Sequence, residues 1–340
     1  MTKQHRASSI LVGTFLGLLL LGIFGCKNKV EEAATPPFMS AVAAQPPQAA
    51  DEDTPSPEKT GGFDGKRAFA QVAKQVGFGP RPSGSHAIAQ LQSYIESEVT
   101  SYGCKVDTDS FSADTPVGRL AMKNIVAKVA GEKPGIIVLA THYDTARAAR
   151  DPQTGESRPM PTFVGANDGG SSTGVMLELA RLLCGKPQRY EVWITFLDGE
   201  EAMKDWSDTD SRYGSRQMSA KMAMSGDLRK VKAFLLADIV GVRGLRFKRD
   251  LNSTPALVDL VWKKAAELGY SQVFVNDATQ MEDDHNAFAK RGVPVVDVID
   301  MDIQTTYWHT PQDTVDNVSS KSLAITGHVF LESVKQLQSR

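Results

Sequence analysis

The sequence predicts a three-layer α/β fold: a mostly parallel, mixed central β-sheet flanked by helices. Three observations carry this. Continuous apolar runs of strand length recur along the chain, as strands buried on both faces require. Stretches with helical apolar spacing separate them, and such alternation builds a mostly parallel sheet covered by helices. Acidic residues and histidines gather directly after the runs, where open α/β sheets place their sites.

In chain order, Ala87–Val99 repeats apolar residues at helical spacing, and Met122–Ala130 reads as a strand. Gly135–Thr141 (GIIVLAT) is the first continuous apolar strand. Ser172–Leu183 reads as a helix, with Ser171 and Ser172 as its N-terminal cap. Glu191–Leu197 is the next strand, followed by a helix over Arg212–Met224, a strand over Lys232–Ala237 and a helix over Pro255–Leu268. A short helix over Asp284–Lys290, a strand over Val293–Ile299 and a long helix over Ser319–Gln338 complete the series.

Composition places this body in context. The 340 residues carry 38 Lys+Arg against 40 Asp+Glu, a net charge of −2. That balance leaves no basic footprint for nucleic acid. The N-terminus reads differently. A basic start precedes an apolar run, Ile10–Phe24, shorter than the roughly 20 residues a spanning helix needs. Residues 1–25 therefore read as a secretory signal, and Ile23-Phe24-Gly25-Cys26 resembles a bacterial lipobox with Cys26 as the lipidated residue. A plain secretion signal or an uncleaved anchor is the competing reading. Residues 26–62, rich in Pro and Ala with the acidic run Asp51-Glu52-Asp53, read as a disordered tether. Residues 63–340 read as one globular domain. The expected location is extracytoplasmic, lipid-anchored, with no other membrane contact. Lys27 after Cys26 points to the periplasmic face of the outer membrane if the source is Gram-negative. Of the three cysteines, Cys104 and Cys184 could pair in an oxidising compartment, with two buried free thiols the slightly favoured reading.

The polar residues after each strand form a pattern. Thr141-His142-Tyr143-Asp144, Asp198-Gly199-Glu200-Glu201, Asp238, then Asp300, Asp302 and Tyr307-Trp308-His309 follow four strands, and Asn167-Asp168 precedes a helix. His142, His285 and His309 lie in acid-rich contexts. Imidazole and carboxylate oxygen converging from several strand ends suit a zinc or two-metal hydrolytic site. His86 and His328 read as packing or surface residues. Gly170-Ser-Ser-Thr-Gly174 matches the nucleophile-elbow pattern, but no strong strand precedes it.

The ordered set THYDT, GANDGG, DGEEA, LLADIVG and WHT resembles the M28 zinc aminopeptidases and the related glutaminyl-peptide cyclotransferases, as does Gly79-Pro-Arg-Pro-Ser-Gly-Ser85. The resemblance implies a zinc-exopeptidase-like fold. In the two-zinc aminopeptidases, Asp168 would bridge both ions, His142 and Asp238 would complete one, Glu201 and His309 the other, and Glu200 would be the base. Three segments resemble the cyclotransferases: Glu200–Arg216 with Trp206 on the pocket wall, Glu282-Asp283-Asp284-His285 with Asp283 as an extra acid, and Trp308 before His309. That resemblance implies one Zn²⁺ per chain on Asp168, Glu201 and His309, with Asp238 and Asp283 in a carboxylate network beside Glu200. Two features of the sequence look more like an aminopeptidase: the Asp168-Gly-Gly turn and the retention of His142.

The leading expectation is a cyclotransferase converting N-terminal Gln of peptides and proteins to pyroglutamate with release of ammonia. The substrate supplies its own nucleophile, the α-amine, and its own electrophile, the γ-amide carbon. The enzyme must then orient, polarise and transfer protons, with Trp206 and Trp308 enclosing the side chain. The alternative is a two-zinc aminopeptidase; a catalytically inert binding module on the same fold is a third reading.

Overall fold

The computed structural model describes residues 51–150, 157–159, 162–302 and 306–339. The expected signal, Cys26 and the tether as far as residue 50 lie outside the described residues.

Helices α1 (Gly65–Val76) and α2 (His86–Ser101) lead into a hairpin of β1 (Lys105–Thr115) and β2 (Gly118–Val129) and then β3 (Gly131–His142). There follow α3 (Gly170–Leu183), β4 (Gln188–Leu197), α4 (Tyr213–Ser225), β5 (Val231–Asp238), β6 (Phe247–Asp250) and α5 (Pro255–Glu267). The series ends with β7 (Phe274–Thr279), α6 (His285–Ala289), β8 (Val295–Ile299) and α7 (Ser320–Gln338). Six strands form the main sheet in the order β1-β2-β4-β3-β5-β8. β4, β3, β5 and β8 are mutually parallel, whereas β1–β2 and β2–β4 pair antiparallel. Strands β6 and β7 form a separate parallel pair.

The continuous apolar runs have the cause expected of them. On β3, Ile137 and Leu139 pack into one core with α1, α2, α3, α5 and α7, while Ile136, Val138 and Ala140 pack into a second with α4 and α6. β5 divides in the same way, Leu235 to the first face and Phe234 and Leu236 to the second. Alternate side chains therefore leave opposite faces of a sheet covered on both sides. At Gly327 of α7 a Cβ would sit 2.1 Å from the ring of Phe63. Only glycine lets that ring seat against the helix.

Four expectations are corrected. The folded body begins before Phe63: the Asp51 carboxylate accepts from Ser319 Oγ (2.6 Å) and the Lys321 N–H (3.3 Å) and pairs with Arg243. It acts as a borrowed cap on α7, where an anion meets free N–H groups, so 51–62 is packed chain and not tether. Cys104 and Cys184 form a disulfide. The ends of α2 and α3 converge, with Gly103 and Gly185 in close approach, which brings the two cysteine Cα atoms to 5.0 Å, within bridging range. Ser171 and Ser172 lie inside α3 rather than capping it: the first donates to the Asn167 carbonyl (2.6 Å), and the hydroxyl of Thr141 donates to that of the second (2.7 Å). His285 joins neither histidine of the metal-like cluster. It is buried between Asp250 (3.2 Å) and Asp297 (3.6 Å).

Candidate active site

Parallel pairing sets the site. His142 ends β3 and lies in register with Leu197 at the end of β4, so Asp198-Gly199-Glu200-Glu201 leaves the sheet beside it. Asp238 ends the other neighbour, β5. Asp168 comes from the turn into α3. There Gly169 has φ 73°, and a Cβ would meet the Asp144 carbonyl oxygen at 2.8 Å and the His142 ring at 2.9 Å. The turn demands glycine on both counts.

These side chains meet around Asp168. Its Oδ1 is 3.2 Å from His142 Nε2, and its Oδ2 is 3.3 Å from His309 Nε2. His309 Nε2 is also 3.1 Å from Glu201 Oε1, and His142 Nε2 is 3.0 Å from Asp238 Oδ1. Two donor groups result, Asp168–Glu201–His309 and His142–Asp168–Asp238, each with ligand atoms within 4.8 Å of one another. Asp168 Oδ2 is buried without a directional hydrogen bond. A buried carboxylate oxygen left in this state, with a second carboxylate and a neutral-capable imidazole around it, fits a zinc ion. The first group is the predicted single-zinc set, and the second is the extra set of the two-zinc alternative.

Burial dominates the electrostatics. It pushes the Glu200 carboxyl well above its usual range; His142 opposes this, while Asp283, Glu201 and Asp284 add to it. Burial raises Glu201 to about 7 against the pull of His309. Burial and then Asp238 raise Asp283 to about 6, and burial raises Asp238. Burial alone would raise Asp168, but the imidazoles of His142 and His309 beside its carboxylate hold it below the carboxylate range. His309, which burial would lower, is lifted to about 10 by Glu201 and Asp168. Glu200, Asp238 and Asp283 thus share one buried environment in which ionising all three is costly.

Trp308 stacks on His309 (centroids 4.2 Å, 20°) and Phe163 meets the same ring edge-on. Trp206 keeps 44% of its surface in solvent. Ile239, after Asp238, and His309 itself adopt φ 49° and 51°. Such strain costs of order 1–3 kcal/mol per residue and persists only where neighbours enforce it.

Several supporting residues had no role assigned from sequence. Asp144 accepts the backbone N–H groups of Glu200 (3.1 Å) and Glu201 (3.3 Å). Asp313 does the same for Asn167 (2.6 Å) and Asp168 (3.0 Å). Arg81, fully buried, donates to the carbonyls of Gly79, Val164 and Gly165. Their only sequence signal was position: Asp144 in His-x-Asp, Asp313 four residues after His309, and Arg81 in Gly-Pro-Arg-Pro. Asp198 ends up behind the site, bound to Ser83, Gln92 and the Lys123 N–H. Asp300 accepts the backbone N–H groups of Arg246 and Asp302.

The sequence pattern of peptidase family M28 matches residues 124–334. The chain belongs to peptidase family M28. This M28 protein is 30% identical over 266 residues to the glutaminyl-peptide cyclotransferase-like protein of Mus musculus, spanning 70% of this chain and 67% of the relative. Its fold matches the crystal structure of an Acidobacteriales bacterium glutaminyl cyclase with a TM-score of 0.74 and 40% identity, covering 87% of this chain and all of the other. It also matches a Zn-dependent exopeptidase from Parabacteroides distasonis (TM-score 0.73, 28% identity, 82% of this chain and 99% of the other).

Proposed function

We infer that this M28 protein is a zinc-dependent glutaminyl-peptide cyclotransferase that converts N-terminal Gln of peptides and proteins to pyroglutamate and releases ammonia. The observation that carries this reading is the 40% identity to a bacterial glutaminyl cyclase over the whole of that structure. The buried acid Asp283 against Asp238 and Glu200 supports it.

Asp168, Glu201 and His309 would hold one zinc ion, which when bound supplies Lewis acidity towards the γ-carbonyl oxygen of the substrate. The remaining work falls to the chain. Glu200 takes a proton from the α-amine as its nitrogen closes on the γ-amide carbon. The same carboxyl returns a proton to the departing nitrogen, so one C–N bond forms, one breaks and ammonia leaves. Asp238 and Asp283 hold the shared proton that keeps this buried group from accumulating charge. Trp206 and Trp308 enclose the glutaminyl side chain and exclude the water that would otherwise hydrolyse the amide.

The His142–Asp168–Asp238 group favours a second reading, a two-zinc aminopeptidase. Amino-acid and ammonia analysis after incubation with a Gln-initiated peptide separates the two. Ammonia with no free amino acid supports the cyclotransferase; free N-terminal glutamine establishes the peptidase.

The Cys104–Cys184 bridge supports an oxidising, extracytoplasmic setting. Among the described residues no helix is long and apolar enough to cross a membrane. We propose that Cys26 carries a lipid and is the only membrane contact.

A further inference from the structure

We propose that Arg212 is a positioning residue that clamps the Trp206 loop against the segment carrying Asp283 and thereby sets the grip on substrate. This rests on the cyclotransferase reading for what is gripped. The guanidinium, 4% exposed, reaches three ways. Nη1 donates to Glu282 Oε2 at 2.8 Å and Nη2 to Asp208 Oδ1 at 2.7 Å, and its central carbon lies 5.5 Å from the Trp206 ring centroid. Its backbone N–H donates to the Glu200 carbonyl at 2.8 Å. Glu282 directly precedes Asp283. One residue therefore joins the loop tryptophan, the backbone of the base and the strand of chain bearing the extra acid.

The backbone argues that this placement is enforced. Arg212 adopts φ 52°, a left-handed conformation unusual for a side chain of this size. It is trapped between the Glu200 carbonyl and the start of α4, where the Tyr213 N–H donates to the Gly199 carbonyl. Asp210 also organises the loop, its carboxylate accepting the N–H groups of Met203, Lys204 and Asp205, and Lys290 donates to Asp208 at 3.2 Å. The Asp210 nest fixes the backbone that leads into Trp206, while Arg212 reaches its ring. A planar, forked cation suits the remaining task, because its fixed fork presents donors to two separated carboxylates while its delocalised plane lies near an aromatic ring.

The test is a double-mutant cycle on cyclisation of a Gln-initiated peptide, using Arg212→Met, Trp206→Ala and the double variant. The proposal expects Arg212→Met to raise KM about tenfold with kcat changed less than about twofold. It expects the double variant to match Trp206→Ala alone, because the two residues act as a unit. Multiplying penalties, or a kcat loss at unchanged KM, overturns it. If Arg212→Met fails to fold, Glu282→Gln replaces it in the cycle, with about a threefold KM rise expected from losing one leg; an unchanged KM there overturns the clamp. If the wild type releases no ammonia, the cyclotransferase reading falls and acrylamide quenching decides the clamp. Quenching of Trp206 emission, taken as the difference from Trp206→Phe, should rise about twofold or more in Arg212→Met. Unchanged quenching overturns the proposal whatever the substrate.

Discussion

The carboxylate of Asp313 holds the backbone N–H of Asp168 at 3.0 Å, 145 positions away in sequence. The residue shared by both donor groups is thus fixed through its peptide as well as its side chain. Groups that orient ligands typically contribute 10–100-fold in metal affinity. Asp313→Ala should weaken zinc binding by about that factor, and Asp313→Asn, which keeps one acceptor, by less. Competition with a chromophoric chelator measures this; equal affinity in all three proteins contradicts it.

Glu200 is placed to move protons and not to hold metal. Glu200→Gln should lower kcat by about 10²–10⁴ while zinc content per chain stays at the wild-type value. A variant that keeps its rate shows that another group is the base.

Burial, then the Asp144 charge, push Asp198 from 3.8 up to about 7. The folded state therefore holds a proton that the unfolded chain releases first. The associated stability is full below pH 3.8 and is lost as pH rises through about 7. Urea unfolding of Asp198→Asn should show a shallower fall across this window than the wild type. Parallel curves would mean that Asp198 does not titrate there.

The Cys104–Cys184 bridge closes a loop with a sequence separation of 80. Replacing both residues with alanine should cost about 2–4 kcal/mol, read by denaturant unfolding, and reductant should do the same to the wild type. A double variant as stable as the oxidised protein would leave the bridge without a structural role.

The sequence exposed the parts of the fold that are buried on both faces. The strands β3, β4, β5 and β8 announce themselves because their central stretches are buried on both faces and mostly apolar, and strand ends then point to His142, Glu200, Glu201 and Asp238. Strand β1 escaped, since Lys105–Thr115 is a polar edge strand with a single buried residue, Asp109. Helix α1 escaped too; its stripe of Ala68, Phe69 and Val72 is short and follows a segment read as tether. The roles of Asp144, Asp313 and Arg81 were invisible for a different reason. They act on backbone groups, and a backbone partner leaves no mark in residue spacing. Arg212 likewise gains its meaning only when Glu282, 70 residues on, is brought to it.

The account rests on a metal ion held by Asp168, Glu201 and His309. Anomalous diffraction at the zinc edge from zinc-loaded crystals tests it most directly. The account predicts one peak in contact with those three side chains. No peak among them, or two peaks of equal strength with the second on His142 and Asp238, would contradict it.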